Sequence, residues 1–516
     1  MKIALFHYHL KPGGVTDVVI YSSRAILTGF KNLTELRLVT GESEGTELVM
    51  SRIREGFDRD TADKLRLDIL EELAYVEDGN APDMTKLSQR LEARYDEETL
   101  WWVHNYHLGK NPSFTGALMA VATAGRRDML LHIHDFPECG RPENLAKLDA
   151  VMEIPPYPTG SRIRYAVINE RDRRILADSG LKDSVTLLPN PVPLTPNAPS
   201  DPETLRTALT ELCASDNPGY IPGAPNLLYP VRAIRRKNVL EAALLVRLME
   251  EPVNLILTLP GISAQERGYS ELVEKAFRDG LIQGVWCPGS TGDQRLEYPK
   301  LASSCDAVIS TSVQEGFGYL FLNALHWRKP LLSRYLDILD GVLDLFGDYP
   351  RRFWADFRVP STQELADKTQ EAYLKKIRTL ETTLPDKSIK STISSVSKLA
   401  AGGGIDISYL SVEDQLAALE SARDDDQWRE EARNLNRELL DSIEKTLKAR
   451  PPDMDRIIES QFGSGAFNRA FGELVEGFGL KTPTPSPVKI RESVKKAFGR
   501  IDYMRLLYDF KAAPKN

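Results

Sequence analysis

The fold of this chain can be argued from one stretch, EGFGYLFLNALHWRKPLLSR, which runs from Glu315 to Arg334. An apolar β-branched segment, Ala307 to Ile309, precedes it and predicts a buried strand. Two glycines then surround Phe317, an amphipathic stretch follows, and a second apolar segment begins after Pro330. The order strand, glycine turn, helix, strand predicts a parallel α/β sheet.

The turn at the start of this stretch also indicates the kind of ligand. A helix that begins at a glycine-rich turn offers backbone N–H groups to an anion. Glu315 cannot bind phosphate, but its carboxylate can accept hydrogen bonds from hydroxyl groups. Amide donors beside a hydroxyl-binding carboxylate favour a sugar phosphate.

The same residues resemble the donor-site signature of retaining GT-B glycosyltransferases, the group 1 or family 4 type. The family pattern is Glu-x7-Glu, with Gly-Phe-Gly after the first Glu, which is Glu315 here. The second position holds Asn323, which can hydrogen-bond a ribose without charge. The resemblance implies that Glu315 holds sugar hydroxyls and that Asn323 lies near the ribose. It also implies that Gly316, Phe317, Gly318 and Tyr319 supply backbone donors.

Composition narrows the class of protein. The chain has 516 residues, a net charge of −8 and 27% charged residues, values typical of a multidomain globular protein. The acidic balance argues against a nucleic-acid binder. We find no signal peptide and no apolar run of transmembrane length, so we expect a cytoplasmic protein.

Apolar segments alternate with helical stretches in two successive runs, which predicts two Rossmann-like domains. We expect an N-terminal acceptor domain over 1–200 with a helical insertion at 45–98, then a linker over 201–225. A C-terminal donor domain is expected over 226–384, and a helical extension over 385–516. The predicted strands are Ile3–Phe6, Leu36–Val39, Leu100–Val103, Leu130–Ile133, Tyr165–Ile168, Val185–Leu188, Leu227–Val231, Asn254–Leu259, Gly284–Cys287, Ala307–Ile309 and Leu331–Ser333.

Six of the seven histidines form three close pairs, each at or just past the end of a predicted strand. Parallel strands end at one edge of a sheet, so we expect these imidazoles to lie together. A ligand-binding edge is one interpretation, and a zinc site is its rival. The pairs are His7 with His9, His104 with His107, and His132 with His134.

Two loops of the first domain resemble further family elements. Gly13 and Gly14 follow the first strand, where the family has a loop beside the donor phosphates; a plain tight turn is the alternative. His134 and Asp135 resemble the family's His-Asp element, which places His134 near the reacting sugar. Asp135 either contacts a substrate or caps the next segment. His104 and Asn105 are acceptor candidates or structural residues.

In the second domain, Arg232 and Lys237 follow a strand and resemble the Arg and Lys pair that holds the donor diphosphate in this family. A departing diphosphate gains negative charge, which fixed cations can stabilise. The alternative is a pair of surface charges at a helix start, where cations oppose the helix dipole.

The resemblance therefore implies a retaining, metal-independent transfer of a sugar from a nucleotide-diphosphate sugar to an acceptor hydroxyl, without a cofactor. His134, Glu315, Arg232 and Lys237 are the predicted catalytic group. We expect a small soluble acceptor and self-association through the C-terminal helices. The alternatives are a sugar-nucleotide epimerase or phosphorylase of the same architecture, or a catalytically silent binding protein.

Overall fold

A computed structural model describes residues 1–76, 82–214, 218–380 and 384–505. Contacts divide the chain into two compact units. Unit 1 comprises 1–193, 380–389 and 456–500, and unit 2 comprises 194–379, 390–455 and 501–516. Each unit contains one parallel sheet, as the two runs of apolar segments predict.

The sheet of unit 1 has seven parallel strands in the order β3-β2-β1-β4-β5-β6-β7. The central strands are apolar and buried because helices cover both faces of such a sheet. Their bounds are β1 Lys2–Phe6, β2 Glu35–Thr40, β3 Leu65–Ile69, β4 Thr99–His104, β5 Met129–Ile133, β6 Ile163–Val167 and β7 Val185–Leu187.

The first helices of unit 1 connect these strands. Aspartate or asparagine side chains accept from backbone N–H groups at the N-termini of α3, α4, α5 and α7, which satisfies donors that a helix start leaves open. The bounds are α1 Gly14–Gly29, α2 Thr46–Arg54, α3 Arg59–Ala62, α4 Met84–Arg94, α5 Pro112–Ala124, α6 Pro142–Val151 and α7 Glu170–Leu176.

The main sheet of unit 2 has six strands in the order β10-β9-β8-β11-β12-β13, and a separate antiparallel pair joins β14 to β15. Strands β8 and β11 are neighbours at the point where the strand order reverses, the place where doubly wound sheets bind ligands. The bounds are β8 Asn226–Arg232, β9 Asn254–Leu259, β10 Gly284–Trp286, β11 Ala307–Ser310, β12 Leu331–Arg334, β13 Arg351–Trp354, β14 Arg358–Pro360 and β15 Gly404–Asp406.

Helix α9 is buried on nearly every side in the core of unit 2. The helices that follow α7 are α8 Pro202–Cys213, α9 Val239–Leu248, α10 Ala264–Arg278, α11 Tyr298–Ser304, α12 Tyr319–His326, α13 Leu343–Phe346, α14 Gln363–Thr379, α15 Asp386–Val396, α16 Val412–Asp424, α17 Asp426–Leu435 and α18 Arg437–Leu447. The chain then supplies unit 1 with most of α19 Asp455–Phe462, and with α20 Ser464–Glu476 and α21 Pro487–Phe498.

The predicted α/β class, the two Rossmann-like domains and the C-terminal helices are confirmed. The predicted linker over 201–225 contains the helix α8, whose apolar side packs against the sheet of unit 2. Two other predicted segments differ in detail. The stretch 45–98 contains β3 as well as helices. The stretch 385–516 contains β15, and its helices are shared between the two units. Residues 77–81, 215–217 and 506–516 of these segments lie outside the described residues.

None of the helices in the described part of the chain combines the length and the apolar character that crossing a membrane requires.

Candidate functional site

One group of candidate residues lies at the carboxyl ends of β8 and β11 in unit 2. Tyr229, on β8, donates its hydroxyl to the Lys237 carbonyl oxygen at 2.6 Å and lies 3.0 Å from the Ser312 hydroxyl. Thr311 donates its hydroxyl to the Asn238 carbonyl oxygen at 2.9 Å. These bonds fix the loop that follows β8 against the loop that follows β11.

Lys237 and Glu315 meet between these two loops. The Lys237 Nζ donates to Glu315 Oε1, and the two side chains are only 13% and 15% exposed. Arg236 lies on the other side of the carboxylate, with Nη1 3.4 Å from Glu315 Oε2. From the sequence alone Arg236 is either a surface residue or an extra phosphate contact, and its signal is the run Arg235-Arg236-Lys237.

The charges of this pair affect each other. Burial favours a raised pKa at Glu315, but Lys237 and Arg236 outweigh burial and lower the pKa of the carboxyl to about 2. Burial lowers the pKa of the Lys237 ammonium to about 8, although Glu315 acts in the opposite direction. Both groups are therefore ionised at neutral pH, and the ammonium is the one closer to losing its charge.

Arg232 ends β8 and remains partly accessible. Its Nη1 lies 3.4 Å from Oε2 of Glu266, which also accepts from the backbone N–H groups of Ile262 and Ser263 at the start of α10. Arg232 and Lys237 thus follow the same strand, each beside a carboxylate. The donor-site pattern in the sequence gave no indication of this contact between Arg232 and Glu266.

The glycine turn after Glu315 begins α12. Gly318 has φ 85°, in the left-handed region, and an added Cβ would lie 2.5 Å from the Phe321 ring. A glycine is therefore required at this position. Phe317 and Tyr319 flank it with their rings 4.8 Å apart, and Gly316 lies between Glu315 and Phe317 in the turn.

Two asparagines complete this edge of unit 2. Asn323 is half-buried in the second turn of α12, eight residues after Glu315. Asn238 has φ 51° at the start of α9, a conformation that asparagine tolerates better than most residues. Its side chain donates to Glu241 at 2.5 Å, so its backbone is held in the shape that positions Lys237.

A separate group of candidate residues is the imidazole cluster of unit 1, which consists of His7, His9, His104, His132 and His134. It lies where β1, β4 and β5 end side by side. His104 Nδ1 is 2.8 Å from His134 Nε2, and the His132 ring centroid lies 4.3 Å from that of His134. The prediction that the three histidine pairs share one sheet edge therefore holds for these residues.

The cluster is buried and uncharged at neutral pH. Burial lowers the pKa of His7 to about 3 and of His134 to about 4, and it lowers the pKa of His104 well below its ordinary value. Neutral imidazoles can donate one hydrogen bond and accept another, which suits contact with sugar hydroxyls.

The side chain of Asn105 holds the backbone that follows β5 at this edge of the sheet. It has φ 50°, and its side-chain oxygen accepts from the backbone N–H groups of His134 at 2.8 Å and Asp135 at 3.3 Å. The side chain of Asn105 therefore positions the His-Asp element. Asp135 lies at the surface of this edge, 3.2 Å from Arg141.

A metal would have one candidate location in the part of the chain that the structure describes. Ring nitrogens of His104, His132 and His134 lie within 4.8 Å of one another. However, Trp102 Nε1 donates to His132 Nδ1 at 3.3 Å, so the proton of the neutral His132 ring is on Nε2. His104 and His134 are already hydrogen-bonded to each other. The three imidazoles are therefore arranged for hydrogen bonding in the state that the structure describes.

Gly13 and Gly14 lie at the start of α1 and are exposed. Gly13 has extended backbone, and an added Cβ at Gly14 would meet no atom within 4 Å. The fold itself therefore does not require a glycine at position 14.

The chain was compared with known proteins. No family model matches it. It is 28% identical to the mannosylglucosyl-3-phosphoglycerate synthase of Petrotoga mobilis, a glycosyltransferase, over 99% of this chain and 100% of that protein. The resemblance to glycosyltransferases is thereby confirmed.

Among solved structures, the chain is similar to HepE of Anabaena in complex with UDP, with a TM-score of 0.49 and 14% identity over 92% of this chain and 100% of HepE. It is also similar to a sucrose-phosphate synthase of Thermosynechococcus elongatus, with a TM-score of 0.44 and 14% identity over 86% of this chain and 99% of that chain.

Proposed function

We propose that this protein is a GT-B glycosyltransferase that moves a sugar from a nucleotide-diphosphate sugar to an acceptor hydroxyl. The observation that carries the proposal is the buried Lys237–Glu315 pair, flanked by Arg236, at the carboxyl ends of β8 and β11. A buried cation and a hydroxyl-binding carboxylate at a sheet's reversal point fit a ligand that joins a diphosphate to a sugar.

In this proposal Arg232 and Lys237 bind the diphosphate. Both cations now lie beside carboxylates, Glu266 and Glu315 respectively, which keep the charges compensated before the donor binds. Negative charge increases on the diphosphate as the glycosidic bond breaks, so fixed cations stabilise the transition state more than the ground state. Glu315 then accepts hydrogen bonds from the sugar hydroxyls, and Asn323 binds the ribose.

We further propose that the configuration of the anomeric carbon is retained and that no metal is needed. The acceptor oxygen forms its bond on the face from which the diphosphate leaves, and the departing phosphate oxygen takes the acceptor proton. Such a step needs no protein nucleophile, only positioning and fixed charge. His134 contacts the sugar in this arrangement, and Gly13 and Gly14 let the backbone of α1 approach the donor.

The name of the curated relative suggests the acceptor. Its product joins a mannosyl group to a glucosyl-3-phosphoglycerate. We infer that this chain transfers a mannosyl group to glucosyl-3-phosphoglycerate, which agrees with the expectation of a small soluble acceptor.

The test combines binding with turnover. Arg232→Ala together with Lys237→Ala should abolish binding of nucleoside diphosphates, measured by calorimetry. Glu315→Gln should lower transfer at least about 100-fold while the circular dichroism spectrum stays unchanged, since an oriented charge is lost from the site. Glu271→Gln, an exposed carboxylate on α10, is the matched control and should transfer normally.

The products separate the rival functions. Conversion of the donor without any acceptor would favour an epimerase, and binding without any turnover would favour a silent relative. Unchanged diphosphate affinity in the double variant would remove the proposed role of the two cations.

A further inference from the structure

Lys110 is a half-buried lysine at the carboxyl-end edge of the unit 1 sheet. It lies in the loop that follows β4, where its carbonyl oxygen accepts from the Val76 N–H at 3.1 Å. Its Nζ lies 5.4 Å from the centre of the Tyr75 ring. The side chain is about half-buried, so its ammonium is neither free in water nor enclosed.

A continuous row of rings connects Lys110 to the imidazole cluster. Consecutive ring centroids are 5.0 Å apart from Tyr75 to His9, 5.6 Å from His9 to His7, and 6.3 Å from His7 to His104. The His104 ring stacks on His134 at 5.0 Å. Lys110 therefore lies on the same sheet edge as the residue expected to contact the reacting sugar.

Two of the cations near Lys110 have carboxylate partners, but Lys110 does not have one among the described residues. Lys11 pairs with Glu42 and Glu44, and Arg141 pairs with Asp135 at 3.2 Å. For Lys110, by contrast, no carboxylate of the described residues lies within ion-pair distance of the ammonium. Burial lowers the pKa of Lys110, and Arg141 and Lys147 lower it further. A half-buried ammonium near other cations is stabilised when an anion joins them.

We propose that Lys110, with Arg141 beside it, binds the anionic end of the acceptor, a phosphoglycerate group. The inference rests on the proposed function, because it places the acceptor hydroxyl toward the imidazole cluster and the acceptor's phosphate or carboxylate toward Lys110. Arginine suits such groups because its guanidinium binds two oxygens at once.

The experiment uses the full-length chain and separates binding from transfer. Calorimetry with 3-phosphoglycerate, glycerate and inorganic phosphate measures the anion site directly. We expect 3-phosphoglycerate to bind the native chain, and Lys110→Gln to weaken that binding about tenfold or more, as for a lost hydrogen bond to a charged group. Lys86→Gln, an exposed lysine on α4, is the control and should bind normally.

The outcomes distinguish this inference from the proposed function. Weaker 3-phosphoglycerate binding in Lys110→Gln, with nucleoside diphosphate binding unchanged, supports the site. In turnover, the same variant should raise the KM for glucosyl-3-phosphoglycerate and leave the KM for the donor unchanged. Loss for 3-phosphoglycerate and inorganic phosphate but not for glycerate assigns the contact to the phosphate, whereas equal loss for 3-phosphoglycerate and glycerate assigns it to the carboxylate.

Failure of the two proposals would look different. Equal 3-phosphoglycerate affinity in the native chain and in Lys110→Gln, or no binding by the native chain, overturns the anion site. If the native chain transfers a sugar from none of the nucleotide sugars, the proposed function is overturned. The binding of 3-phosphoglycerate still decides whether the anion site exists, because calorimetry does not depend on turnover.

Discussion

The buried Lys237–Glu315 pair is an inefficient way to stabilise the fold. Removing an ammonium and a carboxylate from water costs free energy that their attraction offsets only in part. The lowered pKa of Lys237 reflects that cost, whereas the lowered pKa of Glu315 reflects the attraction. A bound diphosphate would add negative charge beside Lys237 and offset the free-energy cost of burying its ammonium. The binding of a diphosphate should therefore depend on whether Lys237 is protonated.

The pH dependence of nucleoside diphosphate binding follows from this titration. The pKa of Lys237 without ligand is about 8, and a bound diphosphate must raise it because the anion favours the charged form. The affinity should therefore be constant below pH 8 and fall above it, by up to about tenfold per pH unit. Calorimetry from about pH 6.5 to about pH 10 measures the profile, because a lysine of this pKa titrates within that range.

The control for this experiment is Lys237→Arg. Arginine keeps its charge over the whole range, so the affinity of this variant should not depend on pH. A native profile that stays flat above pH 8 would mean that Lys237 does not contact the diphosphate.

The first turns of two helices use glycine for different reasons. In the turn before α12, Gly318 has a left-handed backbone and the Phe321 ring lies where a Cβ would be, so the fold requires it. At the start of α1, Gly14 has open space around it. The sequence shows two glycine turns after two strands, but only the structure separates the one that folding requires from the one that it does not.

Gly14→Ala tests whether a ligand explains the second glycine. Because no atom lies near the added methyl group, the unfolding free energy should stay the same or rise by about 0.5–1 kcal/mol. The KM for the donor should rise about tenfold if the donor approaches this backbone, since a methyl group then takes its place. Steady-state kinetics and thermal unfolding measure the two effects.

Gly465→Ala is the matched control, because this glycine also lies in the first turn of a helix, α20, where an added Cβ would meet only the end of the Arg469 side chain, at 3.8 Å. It should leave the donor KM unchanged. An unchanged donor KM in Gly14→Ala as well would favour the plain tight turn.

Most of the strands that were predicted from the sequence are buried on both faces, where runs such as Leu130–Ile133 are apolar throughout. The edge strands β7 and β10 were predicted as well. The strands that were missed lie at the edges or in short pairs. β3, at an edge, alternates buried Leu65 and Asp68 with exposed Arg66 and Ile69, and β13 begins with two arginines. Edge strands need only one apolar side, so composition alone does not distinguish them from loops.

The candidate site was predictable in its residue types but not in its pairings. The donor-site pattern indicated Glu315 and Lys237, and the distance between them came from the neighbouring positions of β8 and β11 in the sheet. Contacts such as Arg232 with Glu266 join residues far apart in sequence, and no local periodicity records them.

A buried arginine helps to join the segment that begins with β15 to the main sheet of unit 2. Arg334, at the end of β12, binds Glu241 of α9 through Nε at 2.9 Å and Asp406 of β15 through Nη2 at 2.5 Å. Trp354 donates to the same glutamate at 2.9 Å. Asp406 is the last residue of the strand that pairs with β14, so the arginine joins β12, α9 and this segment in one network.

Arg334→Met should therefore destabilise the protein by about 3–5 kcal/mol, because it leaves two carboxylates buried without their cation. Urea unfolding followed by circular dichroism measures the change. Lys368→Met removes an exposed ion pair with Asp414 in the same unit and should cost about 0–1 kcal/mol. Equal effects of the two substitutions would show that the network contributes no more than a surface ion pair.

Helix α20 of the C-terminal extension belongs to the core of unit 1. Phe467, Phe471 and Leu474 of α20 are buried with residues of α1 and of the central strands. Asn468 donates to the Ala25 carbonyl oxygen of α1 at 2.8 Å. The apolar side of α20 is thus used within the unit, which leaves that side unavailable for the self-association expected from the sequence.

Phe471→Ala tests this assignment. The Phe471 ring is fully buried. Its centroid lies 4.9 Å from that of Trp102 of β4 and 5.5 Å from that of Phe30, which follows α1. Its removal should leave a cavity and lower the unfolding free energy by about 3–5 kcal/mol. Leu480→Ala, at a position that is 63% exposed just after α20, should change it by less than about 0.5 kcal/mol. If the two substitutions have the same small effect in urea unfolding, α20 is not part of the core, and its apolar side becomes available for association between chains.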